Sequence, residues 1–155
     1  MKKYIIASLA IVSAITFQSC SSDDDNGSVD TEKPVIVLNE PTDHEAFLPG
    51  SEIHLDADFS DNVELGSYKI EIHSAADGHE HKGANAVGEW FYSETNQIEA
   101  GLRNTHIHKH IAVPTTVDGL PIVEGHYHLG IFLTDKAGNE QQHFIEIVVG
   151  EDHDH

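Results

Sequence analysis

Short runs in which apolar and polar residues alternate recur along the chain between about residues 34 and 150. Alternation with a period of two is typical of β-strands that bury one face, and no segment of useful length has the 3.6-residue period of a helix. Glycine, proline, asparagine and aspartate, the usual turn residues, separate the runs. We predict seven strands, near Pro34–Leu38, Glu52–Phe59, Gly66–Ser74, Gly88–Ser93, His106–Val113, His126–Thr134 and Gln142–Val149. The pattern favours an all-β fold, an antiparallel sandwich of about seven strands.

Two predicted turns and one tyrosine narrow the fold to an immunoglobulin-like sandwich. Tyr127 takes the place of the tyrosine that begins strand F in such domains and bonds to upstream backbone. Residues 134–139 (TDKAGN) resemble the turn between strands F and G of bacterial domains with this fold, and residues 61–63 (DNV) resemble the turn between strands B and C. We therefore expect one immunoglobulin-like domain over residues 34–150.

Alternation also predicts which side chains face solvent. If Tyr127 lies in the core, His126 and His128 face outward, because neighbouring residues of a strand point to opposite faces. By the same rule, a buried Ile72 leaves His73 outward. Strands C and F are antiparallel neighbours in an immunoglobulin-like sheet, so the end of C lies beside the start of F. We expect His73 to lie close to His126 and His128 on one open face.

Histidine is abundant in this chain, and its spacing is less random than its number. The 155 residues include 13 histidines. Random placement of that many yields about one His-x-His pair, whereas the pattern occurs at residues 79/81, 106/108, 108/110, 126/128 and 153/155. Residues i and i+2 of a strand share a face, so two imidazoles can reach one metal ion. The pattern indicates metal binding; its alternative is a solvated histidine face without metal.

The densest histidine segment begins at the end of predicted strand C and runs to residue 81. It offers imidazoles and carboxylates, a ligand set that suits zinc or copper best and also nickel or iron(II). The histidines must be neutral to bind, so metal affinity should fall below about pH 6. The predicted metal ligands are His73, Asp77, His79, His81, His126 and His128.

A second metal site is predicted on the fifth predicted strand, where His106, His108 and His110 share a face. In the simplest topology this strand belongs to the other sheet, although it can equally line the first site. Outside these groups, His44 and His54 look isolated in the sequence and are expected to be structural or solvated. His143 is expected on strand G beside strand F, where it can at most support a ligand.

Three other functions are weaker interpretations of the sequence. Asp61, Asp135 and Asn139 can ligate calcium, but turn hydrogen bonding by Asx residues explains them more simply. The aromatic residues 90–92 (WFY) can stack on a sugar, yet alternation puts at least one side of this run in the core. A three-histidine zinc with an open position can activate water, and Glu80 lies between two predicted ligands. The sequence nevertheless contains no recognisable catalytic motif, so we expect no enzyme activity.

The N-terminus has the features of an exported, lipid-anchored protein. A short apolar run, Tyr4–Phe17, follows two lysines and has the length of a signal-peptide core rather than of a membrane span. It closes on Cys20, the only cysteine, which resembles the lipid-bearing cysteine of a bacterial lipoprotein. Residues 1–19 are therefore expected to be a cleaved signal, and residues 20–33 a lipidated cysteine with an acidic, flexible tether. Residues 151–155 form an acidic tail with two histidines.

Charge and the single cysteine restrict the partners. The chain has a formal charge of −19, and the part after residue 19 has 6 Lys and Arg against 27 Asp and Glu, a formal −21. Such acidity argues against nucleic acid and for cations or basic surfaces. With Cys20 committed to lipid, no thiolate remains, so any metal site must use imidazole and carboxylate groups.

The motifs described above resemble those of DUF4625, a family of Bacteroidetes lipoproteins. The resemblance is carried by residues 67–73 (SYKIEIH), 77–81 (DGHEH), 125–128 (GHYH) and 135–139 (DKAGN). It covers about residues 34–150 and implies an immunoglobulin-like fold with a histidine-rich motif near strand C. It supports the location of the site more than its purpose.

Taken together, these features predict a lipoprotein of the outer membrane, at the cell surface or otherwise on the periplasmic face. It would bind a divalent transition metal for capture or for delivery, with an outer-membrane transporter as a candidate partner. The alternative is a metal-free adhesion or assembly module whose immunoglobulin-like face binds a protein or a glycan.

Overall fold

The structure, a computed structural model, describes residues 29–75 and 88–151. Alternating apolar residues form its strands, as the sequence pattern predicts. The strands are β1 (Val35–Glu40), β2 (Glu45–Phe47), β3 (Glu52–Ser60), β4 (Leu65–Ser74), β5 (Phe91–Gln97), β6 (Asn104–Ala112), β7 (Thr116–Val117), β8 (Leu120–Pro121), β9 (Gly125–Asp135) and β10 (Glu140–Val149). No described segment forms a helix long and apolar enough to cross a membrane.

Two sheets form the sandwich. The three-stranded sheet has the order β1-β3-β6, and the five-stranded sheet has the order β2-β10-β9-β4-β5. Neighbouring strands are antiparallel, except that the short β2 pairs in parallel with β10. β7 and β8 form a small hairpin of their own. The predicted all-β, immunoglobulin-like sandwich is confirmed.

The core lies between the two sheets and is formed by alternate residues of their long strands. Its fully buried side chains include Ile53, Leu55, Ile70, Ile72, Leu129 and Ile131. Removing each such side chain from water contributes about 1.5–3 kcal/mol to folding. Because these residues face inward, the residues between them on β3, β4 and β9 face outward, and His54, His73, His126 and His128 lie at such positions.

Tyr127 joins the core to the backbone that precedes β9. Its ring is fully buried and lies 5.7 Å, centroid to centroid, from the ring of Trp90. Its hydroxyl donates a hydrogen bond to the carbonyl oxygen of Val123 at 2.7 Å. Burial raises the pKa of Tyr127 to about 12. The predicted bond from this tyrosine to upstream backbone is therefore present.

β5 lies further along the chain than the alternation predicts. The prediction was Gly88–Ser93, whereas the strand is Phe91–Gln97. The alternation of apolar and polar residues does not reveal the second half of this strand, because its half-buried positions hold the polar residues Glu94 and Asn96. Trp90 comes before the strand and is buried, which removes it from any sugar-binding surface. β2, β7 and β8 were not predicted, since two or three residues are too few to show alternation.

Candidate metal centre

The outer face of the three-stranded sheet carries a double row of imidazoles and carboxylates. The row arises because the outward positions of β3 and β6 hold these residue types at every second position. Antiparallel pairing then sets them side by side: His54 opposite His110, Asp56 opposite His108, and Asp58 opposite His106. Side chains directly opposite each other on such a pair are close enough to interact.

Glu52, His54 and His110 form the tightest ligand group on this face. One ligand atom from each of the three lies within 4.8 Å of the other two, and all three side chains are exposed. The rings of His54 and His110 are 4.4 Å apart, centroid to centroid. Nε2 of His108 lies 3.1 Å from Nε2 of His110, so a third imidazole reaches the same place. Two or three nitrogens and one carboxylate oxygen are a ligand set for zinc, copper or nickel.

The other end of the row is a pair of aspartates around one histidine. Nδ1 of His106 contacts Oδ1 of Asp58 at 3.0 Å, and its Nε2 lies 3.2 Å from Oδ2 of Asp56. Since ionised carboxylates only accept hydrogen bonds, the ring binds both best when both nitrogens carry a proton. The hydrogen bond to Asp58 accordingly raises the pKa of His106. A hydrogen bond from Asn39, followed by the bond to the histidine, lowers the pKa of Asp58.

The sequence predicted part of this face and missed the rest. The sequence left two places open for the strand of His106, His108 and His110, and β6 pairs with β3 in the three-stranded sheet, away from the sheet of β4 and β9. The expectation that His54 is isolated is wrong, because its ring lies against that of His110. Glu52 was not considered. The outward alternation Glu52-x-His54-x-Asp56 was visible in the sequence, but the register between β3 and β6 was not.

The five-stranded sheet brings together another group of predicted ligands. His73 on β4 lies directly opposite His128 on β9, as the alternation and strand order led us to expect. Their rings are 5.4 Å apart, centroid to centroid, and nearly perpendicular. His126 lies two residues from His128 on the same outward face. The rings of His73 and His128 can therefore turn toward one ion.

Glu146 on β10 gives this second face a carboxylate that was not predicted. Its Oε1 lies 2.6 Å from Nδ1 of His126 and 3.6 Å from Nε2 of His44. The rings of His44 and His126 are 6.5 Å apart, centroid to centroid. His44, expected to be isolated, thus shares a carboxylate with a predicted ligand. These contacts describe a looser group than Glu52, His54 and His110.

Other predicted site residues are outside these groups. Asp77, His79 and His81 lie outside the residues that the structure describes. His143 is opposite Ile131, which is fully buried, so it faces the inner side of β10 and cannot support ligands on the outer side.

The two aspartate turns hydrogen-bond as expected for Asx residues. Oδ2 of Asp61 accepts hydrogen bonds from the backbone N–H of Val63 and Glu64, each at 2.8 Å. Oδ1 of Asp135 accepts from the N–H of Gly138 and Asn139 at 2.6 and 2.7 Å. Both turns occur where the sequence placed them, between β3 and β4 and between β9 and β10.

An immunoglobulin-like sandwich with outward histidine groups on both sheets defines the class of this protein, and sequence comparison defines the family. DUF4625, described as a domain of unknown function, matches residues 18–150. The chain therefore belongs to the DUF4625 family. No curated protein sequence matches it.

The solved structures to which this chain is similar include those of three different proteins. The sporulation control protein Spo0M of Bacillus subtilis is 13% identical, with a TM-score of 0.42, over 77% of this chain and 49% of that one. The fibronectin(III)-like modules of Clostridium thermocellum CbhA are 12% identical, with a TM-score of 0.38, over 75% and 96%. A β-glucosidase from Listeria innocua is 9% identical, with a TM-score of 0.42, over 76% and 16%. This chain thus spans about half the length of Spo0M.

Proposed function

We propose that this protein is a membrane-anchored lipoprotein that binds a divalent transition metal, zinc or copper most readily, for capture or delivery. The observation that carries the proposal is the convergence of Glu52, His54 and His110 within 4.8 Å. Nitrogen or oxygen ligands bind zinc at about 2.0–2.1 Å, which in a tetrahedral site puts them about 3.3 Å apart. Exposed side chains can close the remaining gap by small rotations.

His108 would complete the coordination. Its Nε2 already lies 3.1 Å from that of His110, close to the separation of two ligands of one ion. A metal would replace the hydrogen bond between the two rings, because both nitrogens would then present lone pairs to it. The site would hold three imidazoles and one carboxylate from two adjacent strands.

The second part of the proposal concerns the other sheet. A further metal site is proposed there, to which Glu146 adds a carboxylate. Its ligands would be His73, His126 and His128, together with Asp77, His79 and His81 of the segment that follows β4. The contact between His73 and His128 and the bond between His126 and Glu146 support it. Sites on two faces of one small domain suit a protein that collects metal.

The surroundings of the protein are part of the same proposal. The formal charge of −19 raises the local concentration of cations near the surface. Lipid on Cys20 would hold the domain at the outer membrane, where an uptake transporter could receive the ion. We propose binding rather than catalysis, since Glu52, His54 and His110 are exposed on an open sheet where water is not excluded.

Metal content and titration test the proposal. The protein, purified without a histidine tag, should carry zinc or copper by elemental analysis, and added metal should raise its melting temperature. His54→Ala with His110→Ala should lower the stoichiometry on one face, and His73→Ala with His128→Ala on the other. His143→Ala, on the inner side of β10, is the matched histidine control. The proposal would be wrong if the purified protein contained no metal and its melting temperature did not change when zinc or copper was added.

A metal-free binding module is the second candidate, and one observation favours it. Phe91 and Phe144 on the five-stranded sheet are 63% and 52% exposed. Aromatic residues are enriched in protein–protein interfaces, so these two side chains are candidate contacts for a protein partner. Under this alternative, Phe91→Ala and Phe144→Ala would abolish attachment of the protein to cells, while removal of the histidines would not.

A further inference from the structure

Three aspartates from distant parts of the chain meet at one end of the sandwich. Asp30 precedes β1, Asp61 lies in the turn between β3 and β4, and Asp135 ends β9. One carboxylate oxygen from each lies within 4.8 Å of the other two. None of the ion pairs made by the described residues includes any of the three. Among the described residues, the group therefore concentrates negative charge without an ion pair to a basic side chain.

Asp61, which is part-buried, has one carboxylate oxygen that its own turn does not use. Oδ2 accepts the two backbone hydrogen bonds of the turn, whereas Oδ1 is buried and accepts no hydrogen bond from the described residues. A buried carboxylate oxygen without a partner is costly, because it has lost water and gained nothing in exchange. The unpaired oxygen is an observation separate from the clustering of the three aspartates, and a bound cation would give it a partner.

The carboxylate of Asp135 also favours a bound cation. It is only 4% exposed, so its carboxylate is almost completely removed from water. Two backbone N–H groups and the side-chain amide of Asn139 bond to it, the last at 2.6 Å. These donors are neutral dipoles and do not cancel the net charge of the three aspartates. A buried charge is stable when an opposite charge or a metal accompanies it.

We propose that Asp30, Asp61 and Asp135 bind a hard divalent cation of the calcium class. All the ligands are oxygens, and calcium accepts six to eight of them, at about 2.3–2.6 Å, in a flexible geometry. The backbone carbonyl oxygen of Asp30, which lies 3.2 Å from Nδ2 of Asn139, is a further oxygen at the same end. Magnesium fits less well, since it requires near-ideal octahedral geometry.

The cation would fasten the segment before β1 to the body of the domain. Asp30 belongs to that segment, while Asp61 and Asp135 belong to turns of the two sheets. Without the cation, Asn62 and Asn139 hold Asp30 by single hydrogen bonds of 3.1 and 3.2 Å. Calcium would thus set how the domain is held by the chain that precedes it. This inference uses neither the ligands nor the metal class of the proposed transition-metal sites, so each can fail alone.

Equilibrium dialysis with radiolabelled calcium tests the proposal on the unmodified protein. We expect one ion per chain at the millimolar concentrations of extracellular calcium sites. Saturating calcium should also raise the melting temperature by about 5 °C, because a ligand that binds only the folded state stabilises it. Absence of bound calcium at millimolar concentration would overturn the proposal, whatever the variants do.

Asp61→Asn is the sharpest variant. Asparagine keeps an oxygen for the two backbone bonds of the turn but removes the charge, so calcium affinity should fall at least about tenfold. Asp118→Asn, an exposed residue in the β7–β8 turn, makes the same change of charge and should leave calcium binding unchanged. The shift caused by calcium should persist in His54→Ala. Equal calcium affinity in Asp61→Asn and the unmodified protein would contradict the assignment.

Discussion

Lys109, between the outward His108 and His110 of β6, forms an ion pair with Glu94 on β5 of the opposite sheet. It faces Leu55, which is fully buried, so its side chain points inward while its neighbours point to solvent. Glu94 also bonds to the hydroxyl of Tyr92 and to Asn96. The strand that presents the candidate metal ligands is thus joined to the second sheet at the open edge of the sandwich.

Replacement of Glu94 should change the stability of the protein at acidic pH. The hydrogen bond from Lys109, followed by those from Tyr92 and Asn96, lowers the pKa of Glu94 to about 2. A carboxyl with a lowered pKa stabilises the fold above its unfolded pKa of about 4.3, and that contribution is lost as the pH falls toward 2. The side chain is 38% exposed, so solvent screening reduces the effect to about 1 kcal/mol.

Urea unfolding of Glu94→Gln at several pH values measures this effect. The variant should be less stable than the unmodified protein near pH 6, and the difference should shrink between pH values of about 4 and 2. Glu99→Gln, on the exposed turn after β5, carries the same change of charge and should show no such difference. A constant loss of stability across this pH range would mean that the ionised carboxylate is not responsible.

Two glycines on neighbouring strands should respond differently to substitution by alanine. A Cβ on Gly66 would lie 2.7 Å from the carbonyl oxygen of Asp135, which is backbone and cannot move aside. A Cβ on Gly130 would lie 2.6 Å from Cε1 of Phe144, a ring that is 52% exposed and can turn away. Gly66→Ala should therefore cost about 1–3 kcal/mol of unfolding free energy, and Gly130→Ala less than about 1 kcal/mol. Chemical denaturation of both variants decides between these values, and equal costs would refute the explanation.

The pKa of His106 should lie above its ordinary value because of Asp58. The hydrogen bond to this carboxylate raises the pKa of His106, so Asp58→Asn should lower it. A raised histidine pKa stabilises the fold below the unfolded pKa, and this contribution disappears as the pH rises through the folded pKa. NMR titration of the ring protons measures the change, with Asp118→Asn as the control. An unchanged His106 pKa in Asp58→Asn would show that the bond is not formed in solution.

Replacement of Cys20 tests the proposed lipid anchor. The unmodified protein should incorporate labelled fatty acid and remain with the membrane fraction, because a lipid-modified cysteine needs the thiol. Cys20→Ser should lose the label and enter the soluble fraction, while Ser22→Ala should behave as the unmodified protein. A Cys20→Ser protein that stays in the membrane fraction would rule out anchoring through this residue.

The sequence alone was sufficient to predict which residues of the long strands face the core and which face solvent. In β9, the alternation of Tyr127 and Leu129 with His126 and His128 determines that the apolar residues are buried and the histidines are outward. This works because the strand period is two regardless of what the strand pairs with. The order of strands in a known fold class then placed His73 beside His128.

Tertiary structure alone decided which outward groups meet. His54 lies against His110, and Glu52 lies beside them, because of the register of β3 with β6. This register pairs residues that are 44 to 60 positions apart in sequence, from Ser60 with Asn104 to Glu52 with Ala112. The bounds of β5 could not be predicted for a similar reason. Its half-buried position 94 holds a charged residue, Glu94, whose partner Lys109 lies on the other sheet. Asp30 joins Asp61 and Asp135 for the same reason. Local alternation determines which way a side chain points, but only the folded chain determines what it meets.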